Sequence, residues 1–290
     1  MTPTNVEAAV PVDVAQDEDV RFGTLATRYI RGHSRGPRLN GEPGGTILAL
    51  HSLGLDRHSF DNLRAALPAQ WRLVSYDQRG HGAAAMQHAA DLDSYVEDAC
   101  AALAVCGEEP VHLLGHSMGG AVAALAAATL ARRTPGRIAS LALVATPAIG
   151  NPTFAARGAP ALAGGMVAVI ESTLARWFSG GPSPEGAIAY ATATLNLMQP
   201  HGFADAWHAL AGFAGYANLA LTLPPTLCIA GADDLSTPPA AMRLIVDAFA
   251  SAQRADAVTL STVAGAGHMA LLTAASAIAP MLEAHWRAHA

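Results

Sequence analysis

Residues 111–120, "VHLLGHSMGG", join a short apolar run to two adjacent glycines through one serine, Ser117. The alanine-rich run that follows, "AVAALAAATLARR" (121–133), has the composition of a helix. A strand that turns directly into a helix needs a tight bend. Gly115 and Gly119, two positions either side of Ser117, remove the β-carbons that would clash there, and the pattern reads G-x-S-x-G. A serine at such a bend takes up strained dihedrals beside a helix N-terminus. The unpaired N–H groups and positive dipole end there favour developing negative charge. Ser117 is therefore the candidate nucleophile.

Outward from this bend the same plan recurs. "TILALHSLG" (46–54) is a buried strand running into a loop, and "WRLVSYDQRGHG" (71–82) is a second. "IASLALVAT" (138–146), "TLCIAGA" (226–232) and the strand within "AVTLSTVAGAGH" (257–268) complete the set. Helical patterns lie between them: "SFDNLRAALP" (59–68), stopped by Pro68, and "SYVEDACAALAVCG" (94–107), ended by Gly107. Short apolar strands alternating with helices predict an α/β fold, a mostly parallel central sheet with helices on both faces. Residues 147–225 break this rhythm, with no clear strand, a helical pattern and aromatics that read as packing, among them Trp177 and Trp207. They are expected to form a helical cap over the carboxyl edge of the sheet and to select substrate. The core is then 21–146 with 226–290, and the acidic, proline-broken residues 1–20 a mobile tail.

Composition narrows the function. The 290 residues are enough for one large α/β domain with a cap. Net charge is −6, every basic residue is arginine and no basic cluster occurs, which argues against a nucleic-acid partner. Cys100, Cys106 and Cys228 form an odd set without a CxxC pair. That argues against a disulfide framework and a zinc site, and suits a reducing cytoplasm. The first twenty residues lack the basic and apolar regions of a signal peptide. The most apolar stretch, 111–131, owes its hydropathy to alanine and contains His112 and His116, so it is a buried strand and helix rather than a membrane span. His285 and His289 stand four apart in "HWRAH" with no evident third ligand and read as surface histidines, so no metal is expected. No Walker or dinucleotide glycine fingerprint occurs, and no cofactor is expected.

A serine hydroxyl becomes a nucleophile when a base takes its proton and a carboxylate orients that base. In a parallel α/β sheet ligands sit beyond the carboxyl ends of the strands. Just past strand ends lie Asp233 and Asp234 in "IAGADDLSTPP" and His268 in "AGAGHMALL", in the chain order Ser, Asp, His. Neighbours in an extended loop point in different directions, so one of the two carboxylates faces His268; physics alone leaves open which. Thr237 and Pro238 read as the N-cap and first residue of the next helix. An oxyanion hole needs two amides: Met118 supplies one, and the "HSLG" loop, at Leu53, the other. His51 and Ser52 shape that loop.

"HSLG", "YDQRGHG", "GHSMGG", "GADDLSTP" and "GHM", in this order, resemble the α/β-hydrolase superfamily across roughly residues 21–288. The resemblance implies the α/β-hydrolase fold and a Ser-His-Asp triad. In that family the acid commonly stands fourth in G-x-x-D shortly before Thr-Pro, which picks Asp234. The same comparison makes Asp77, Arg79 and His81 structural. "HSLGLDRHSFDNL", "ARWFSG" and "GADDLSTPP" are similar to the 3-oxoadipate enol-lactonase group. That similarity implies hydrolysis of an ester or lactone of a small acid through an acyl-enzyme. Arg57 and Arg176 are the residues that would meet such an anion, with solvated arginines as the competing reading. Cofactor-free perhydrolases use the same triad. Carbon–carbon hydrolases of ring-cleavage products share the fold but place Asn where this chain has His116. A non-enzymatic ligand sensor is the alternative of a different class.

Overall fold

A computed structural model of the chain describes residues 44–179 and 183–290, with the backbone of residues 17–18 and 30–31. The expected tail, 1–20, lies outside the described residues except for β1 (Asp17–Glu18), which pairs antiparallel with β2 (Ile30–Arg31).

Six strands form one sheet: β3 (Thr46–Leu50), β4 (Arg72–Ser75), β5 (Val111–His116), β6 (Ile138–Val144), β7 (Thr226–Gly231) and β8 (Val258–Val263). The order is β4-β3-β5-β6-β7-β8 and every pair is parallel. Apolar residues fill both faces of the inner strands because both are covered. Ile47 and Ala49 face a layer that includes residues of α1 (Asp61–Ala66), α9 (Ala270–Thr273) and α10 (Ala275–Ala288). Leu48 and Leu50 face the opposite layer, with α2 (Leu92–Ala102), α3 (Met118–Arg133) and α8 (Pro239–Ser251). Each leucine or isoleucine so buried contributes about 1.5–3 kcal/mol. In the first layer the Trp71 and Trp286 rings pack at a tilt with centroids 5.2 Å apart, beside buried His112, whose Nδ1 is 2.8 Å from Ser140 Oγ. His285 is half-buried, not a surface residue: its Nε2 lies 3.2 Å from the Leu141 carbonyl, since α10 packs that face against the sheet.

The strand order places the site. After β3 the chain adds β4 on one side and then β5 on the other, so the loops leaving β3 and β5 diverge and open a crevice. Those loops carry Leu53 and Ser117. Between β6 and β7 the described chain is helical: a 3-10 turn (Pro152–Gly158), α4 (Ala159–Gly164), α5 (Val167–Trp177), α6 (Glu185–Leu197) and α7 (Pro200–Ala211). This insertion lies tightly on the loops after β3 and β4. A β-carbon on Gly54 would come 2.7 Å from the Trp177 ring, and one on Gly80 2.9 Å from Gly202 Cα.

Candidate active site

Ser117 joins β5 to α3 with φ 53° and ψ −118°, a conformation that non-glycine residues rarely adopt. The turn is held from outside: Ser117 N–H donates to the Val144 carbonyl at 2.9 Å. The flanking glycines let backbones meet. A β-carbon on Gly119 would lie 2.2 Å from the Leu50 carbonyl oxygen of β3, and one on Gly115 2.3 Å from Gly120 Cα.

Three chain segments converge here. Ser117 Oγ is 3.0 Å from His268 Nε2, and His268 Nδ1 is 2.9 Å from Asp234 Oδ2. With Nδ1–H donated to the carboxylate, Nε2 is left to accept from the serine hydroxyl. All three residues are buried, Ser117 being the most accessible at 8 %. The geometry separates the two aspartates: Asp234 is buried against His268, whereas Asp233 is exposed, its N–H donating to the Ala266 carbonyl at 3.0 Å. Asp234 Oδ1 accepts the N–H groups of Ser236 (2.7 Å) and Thr237 (2.9 Å), and Oδ2 accepts the Thr237 hydroxyl (2.7 Å). Burial alone would raise the Asp234 carboxyl. The His268 charge and the hydrogen bonds from His268 and Thr237 outweigh it and hold the group down at about 2.

Thr237 does not cap the following helix, as its place before Pro238 led us to expect. Pro238 occupies the cap position without a side-chain bond, and the Thr237 hydroxyl turns inward to the carboxylate, 3.2 Å from His268 Nδ1. A buried anion is the stronger acceptor. The signal was present in the sequence, because an aspartate two and three residues before amides that it accepts is an Asx-type turn. His116 was also missed. Its Nε2–H donates to the His268 carbonyl at 2.9 Å, steadying the loop that carries His268. Burial, then the neighbouring His268, lowers the His116 ring to about 3, so it is neutral.

Two amides were expected to bind an oxyanion, those of Met118 and Leu53. Met118 opens α3, where an N–H has no intrahelical acceptor, and the Leu53 N–H has no acceptor among the described residues. The Leu53 loop is held by buried His51, whose Nδ1 lies 2.9 Å from the Ser52 carbonyl and whose Nε2 accepts the Gln78 N–H at 2.9 Å. Asp77 accepts the Arg57 N–H (2.9 Å) and pairs with its guanidinium, while Arg79 grips Asp98 through two bonds of 2.6 and 2.7 Å. These contacts tie loops together away from Ser117. Arg57 is thereby committed to Asp77.

Residues 47–281 match the profile described as the Alpha/beta hydrolase family. The chain belongs to the α/β-hydrolase family. It is 31 % identical over 209 residues to 3-oxoadipate enol-lactonase 1 of Acinetobacter baylyi, covering 70 % of this chain and 77 % of that one. The solved enol-lactonase of Burkholderia xenovorans LB400 superposes with a TM-score of 0.71 at 25 % identity, over 86 % of this chain and 93 % of that one. The pimeloyl-[acyl-carrier protein] methyl ester esterase of Neisseria meningitidis is 34 % identical over 100 residues, 34 % of this chain and 36 % of that one. This hydrolase is thus an enzyme similar to enol-lactonases and esterases. No helix among the described residues is long and apolar enough to cross a membrane.

In this α/β-hydrolase the serine opens into a pocket of about 420 Å³ of unfilled space, part of it open solvent. Ser52, Leu53, Ser117 and His268 form its floor, and the insertion supplies Phe154, Arg157, Arg176, Trp177 and Trp207. Arg176 is half-buried in this wall rather than solvated, because α5 ends against the pocket. Arg157 carried no signal in the sequence.

Proposed function

We propose that this hydrolase cleaves an ester or lactone bond of a small substrate, with Ser117 as nucleophile, His268 as base and Asp234 as the orienting carboxylate. The observation that carries the reading is the unbroken chain of 3.0 and 2.9 Å contacts from Ser117 through His268 to Asp234. As Ser117 Oγ attacks the acyl carbon, its proton passes to His268 Nε2, and Asp234 stabilises the imidazolium that forms. Negative charge on the former carbonyl oxygen meets the Leu53 and Met118 N–H groups. His268 then gives the proton to the leaving oxygen. In a lactone that oxygen stays tethered to the acyl group until water, activated by the same histidine, releases the product. Residues 147–225 act as a cap that selects substrate, and the free cysteines fit a cytoplasmic setting.

Serine-directed fluorophosphonate labelling tests the nucleophile: it should tag Ser117, and His268→Ala should suppress the tag. Tagging that survives Ser117→Ala would place the nucleophile elsewhere. A panel of lactones, short esters, ring-cleavage diketones and long-chain esters then tests the substrate. Preference for the diketones would replace this reading with carbon–carbon bond hydrolysis.

A further inference from the structure

The loop after β3 borders two cavities. Ser52 and Leu53 line the Ser117 pocket, whereas Gly54, Leu55 and Asp56 line a second one that shares no lining residue with the first. This second cavity holds about 620 Å³ of unfilled space, part of it open solvent, a volume suited to a small molecule. His81 closes it from the loop after β4, and Leu197 and Met198 close it at the end of α6. Its polar side chains are acceptors. His81 is buried, and its Nδ1–H donates to the Arg79 carbonyl at 2.7 Å. Nε2 is left as a lone-pair acceptor, buried and without a partner among the described residues. Burial, then the neighbouring His51, pushes this ring down to about 3, so it is neutral. A buried acceptor left unmet is costly, and the fold seldom tolerates one without a use. Asp56 Oδ1 accepts the His58 N–H at 2.9 Å and the Tyr190 hydroxyl at 2.6 Å, while Oδ2 takes no hydrogen bond among the described residues. The adjacent cation, Arg57, is committed to Asp77, and no arginine among the described residues lines the cavity. A carboxylate, an imidazole lone pair and the apolar walls of Leu55, Leu197 and Met198 together suit a ligand with a positive charge, N–H donors and a short alkyl chain.

We propose that this second cavity binds a small organic ammonium ion that carries a further hydrogen-bond donor, an amino alcohol or a diamine. The ammonium group meets the Asp56 carboxylate, the second donor meets His81 Nε2, and the carbon chain lies against the apolar walls. A neutral polyol would satisfy His81 but leave the Asp56 charge without a counter-ion, and an anion would meet acceptors alone. The site is distinct from the Ser117 pocket, and the assignment does not depend on the reaction there.

Nitrogen NMR of the full chain labelled with ¹⁵N-histidine, at pH 7, reads the site directly. The probes are ethanolamine and 1,4-diaminobutane, with ethylene glycol as the neutral match and tetramethylammonium as a cation without N–H donors. The first two should shift the His81 Nε2 resonance saturably, as that nitrogen accepts a hydrogen bond. Ethylene glycol and tetramethylammonium should bind about tenfold more weakly or worse, the range of a charge-assisted bond. Asp56→Asn keeps an N-cap oxygen for the His58 N–H and an acceptor for Tyr190 while removing the charge, so it should weaken ethanolamine by about tenfold. Thr194 also lines the cavity, and its hydroxyl bonds only the Ala191 carbonyl of its own helix, 3.0 Å away. Thr194→Trp should therefore fill the space and abolish the shift, with an unchanged circular dichroism spectrum showing that the fold is kept. Ethylene glycol binding as tightly as ethanolamine, or ethanolamine affinity unmoved by both Asp56→Asn and Thr194→Trp, overturns the proposal. So does the absence of a saturable shift with either amine.

Discussion

The carboxylate of Asp234 accepts four hydrogen bonds, from the Ser236 and Thr237 amides, the Thr237 hydroxyl and His268 Nδ1. That shell fixes both its charge and its direction. Its folded pKa of about 2 lies below the ordinary carboxyl range near 4. The ion therefore contributes stability that is fully present above about pH 4 and is lost as the pH falls through about 2; the shift corresponds to about 2 kcal/mol. Asp234→Asn is expected to cut turnover by about 10³–10⁴-fold, since the amide can hold the wrong tautomer of His268. Asp233→Asn, at an exposed position, should keep most of the activity. Steady-state kinetics on any accepted ester decide between them, and the opposite ranking would move the orienting role to Asp233. Thr237→Val keeps the shape and removes one donor, so it should cost about 1–2 kcal/mol in chemical denaturation.

Among the elements, the β5–α3 connection is the least tolerant of change. A β-carbon at Gly119 would meet the Leu50 carbonyl oxygen at 2.2 Å, and that oxygen belongs to the backbone of β3, which cannot rotate aside. Gly119→Ala should therefore push α3 off the sheet edge, costing about 1–3 kcal/mol, and displace the Ser117 hydroxyl from His268. Thermal melting should show the first effect and fluorophosphonate labelling the second; labelling at the parent rate would disprove the coupling. Why the sequence disclosed this element and not others follows from the same physics. The inner strands and the elbow were legible because burial on both faces enforces apolar runs, and because the tight approach at Gly115 and Gly119 admits only glycine. Ser117, Asp234 and His268 stand at strand ends, where the fold restricts chain order. The insertion was read as helical in pattern, and the described chain between β6 and β7 is helical. Arg157 and Arg176 lie in different elements and meet over Trp207 of a third, and no periodicity records such a meeting. Thr237 was misread because Thr-Pro is also the signature of a helix start.

Across the whole molecule, neutral histidines built into the interior set the response to acid. Burial, reinforced by a neighbouring histidine in each case, pushes His81 and His116 down to about 3 and His112 to about 4. In the unfolded chain each would titrate near 6.5, so between about pH 6 and 4 the unfolded state binds more protons and folding stability falls as the pH falls. Each histidine contributes a slope of about 1.4 kcal/mol per pH unit, and the three together roughly 4 kcal/mol per unit, against a total stability of about 5–15 kcal/mol for a domain. The fold should therefore lose stability steeply between roughly pH 6 and 4, above the range in which the Asp234 carboxylate titrates. Loss of folded structure in acid would then report the interior histidines and not the Asp234 carboxylate. Urea denaturation at pH 7, 6 and 5 measures the slope directly. His112→Gln, which removes a titrating group from the Trp71–Trp286 layer while leaving an amide to bond Ser140, should reduce that slope by about one proton. A midpoint unchanged from pH 7 to 5 would mean that these rings are already protonated in the folded state or open to water, and the acid limit would pass to the carboxylates.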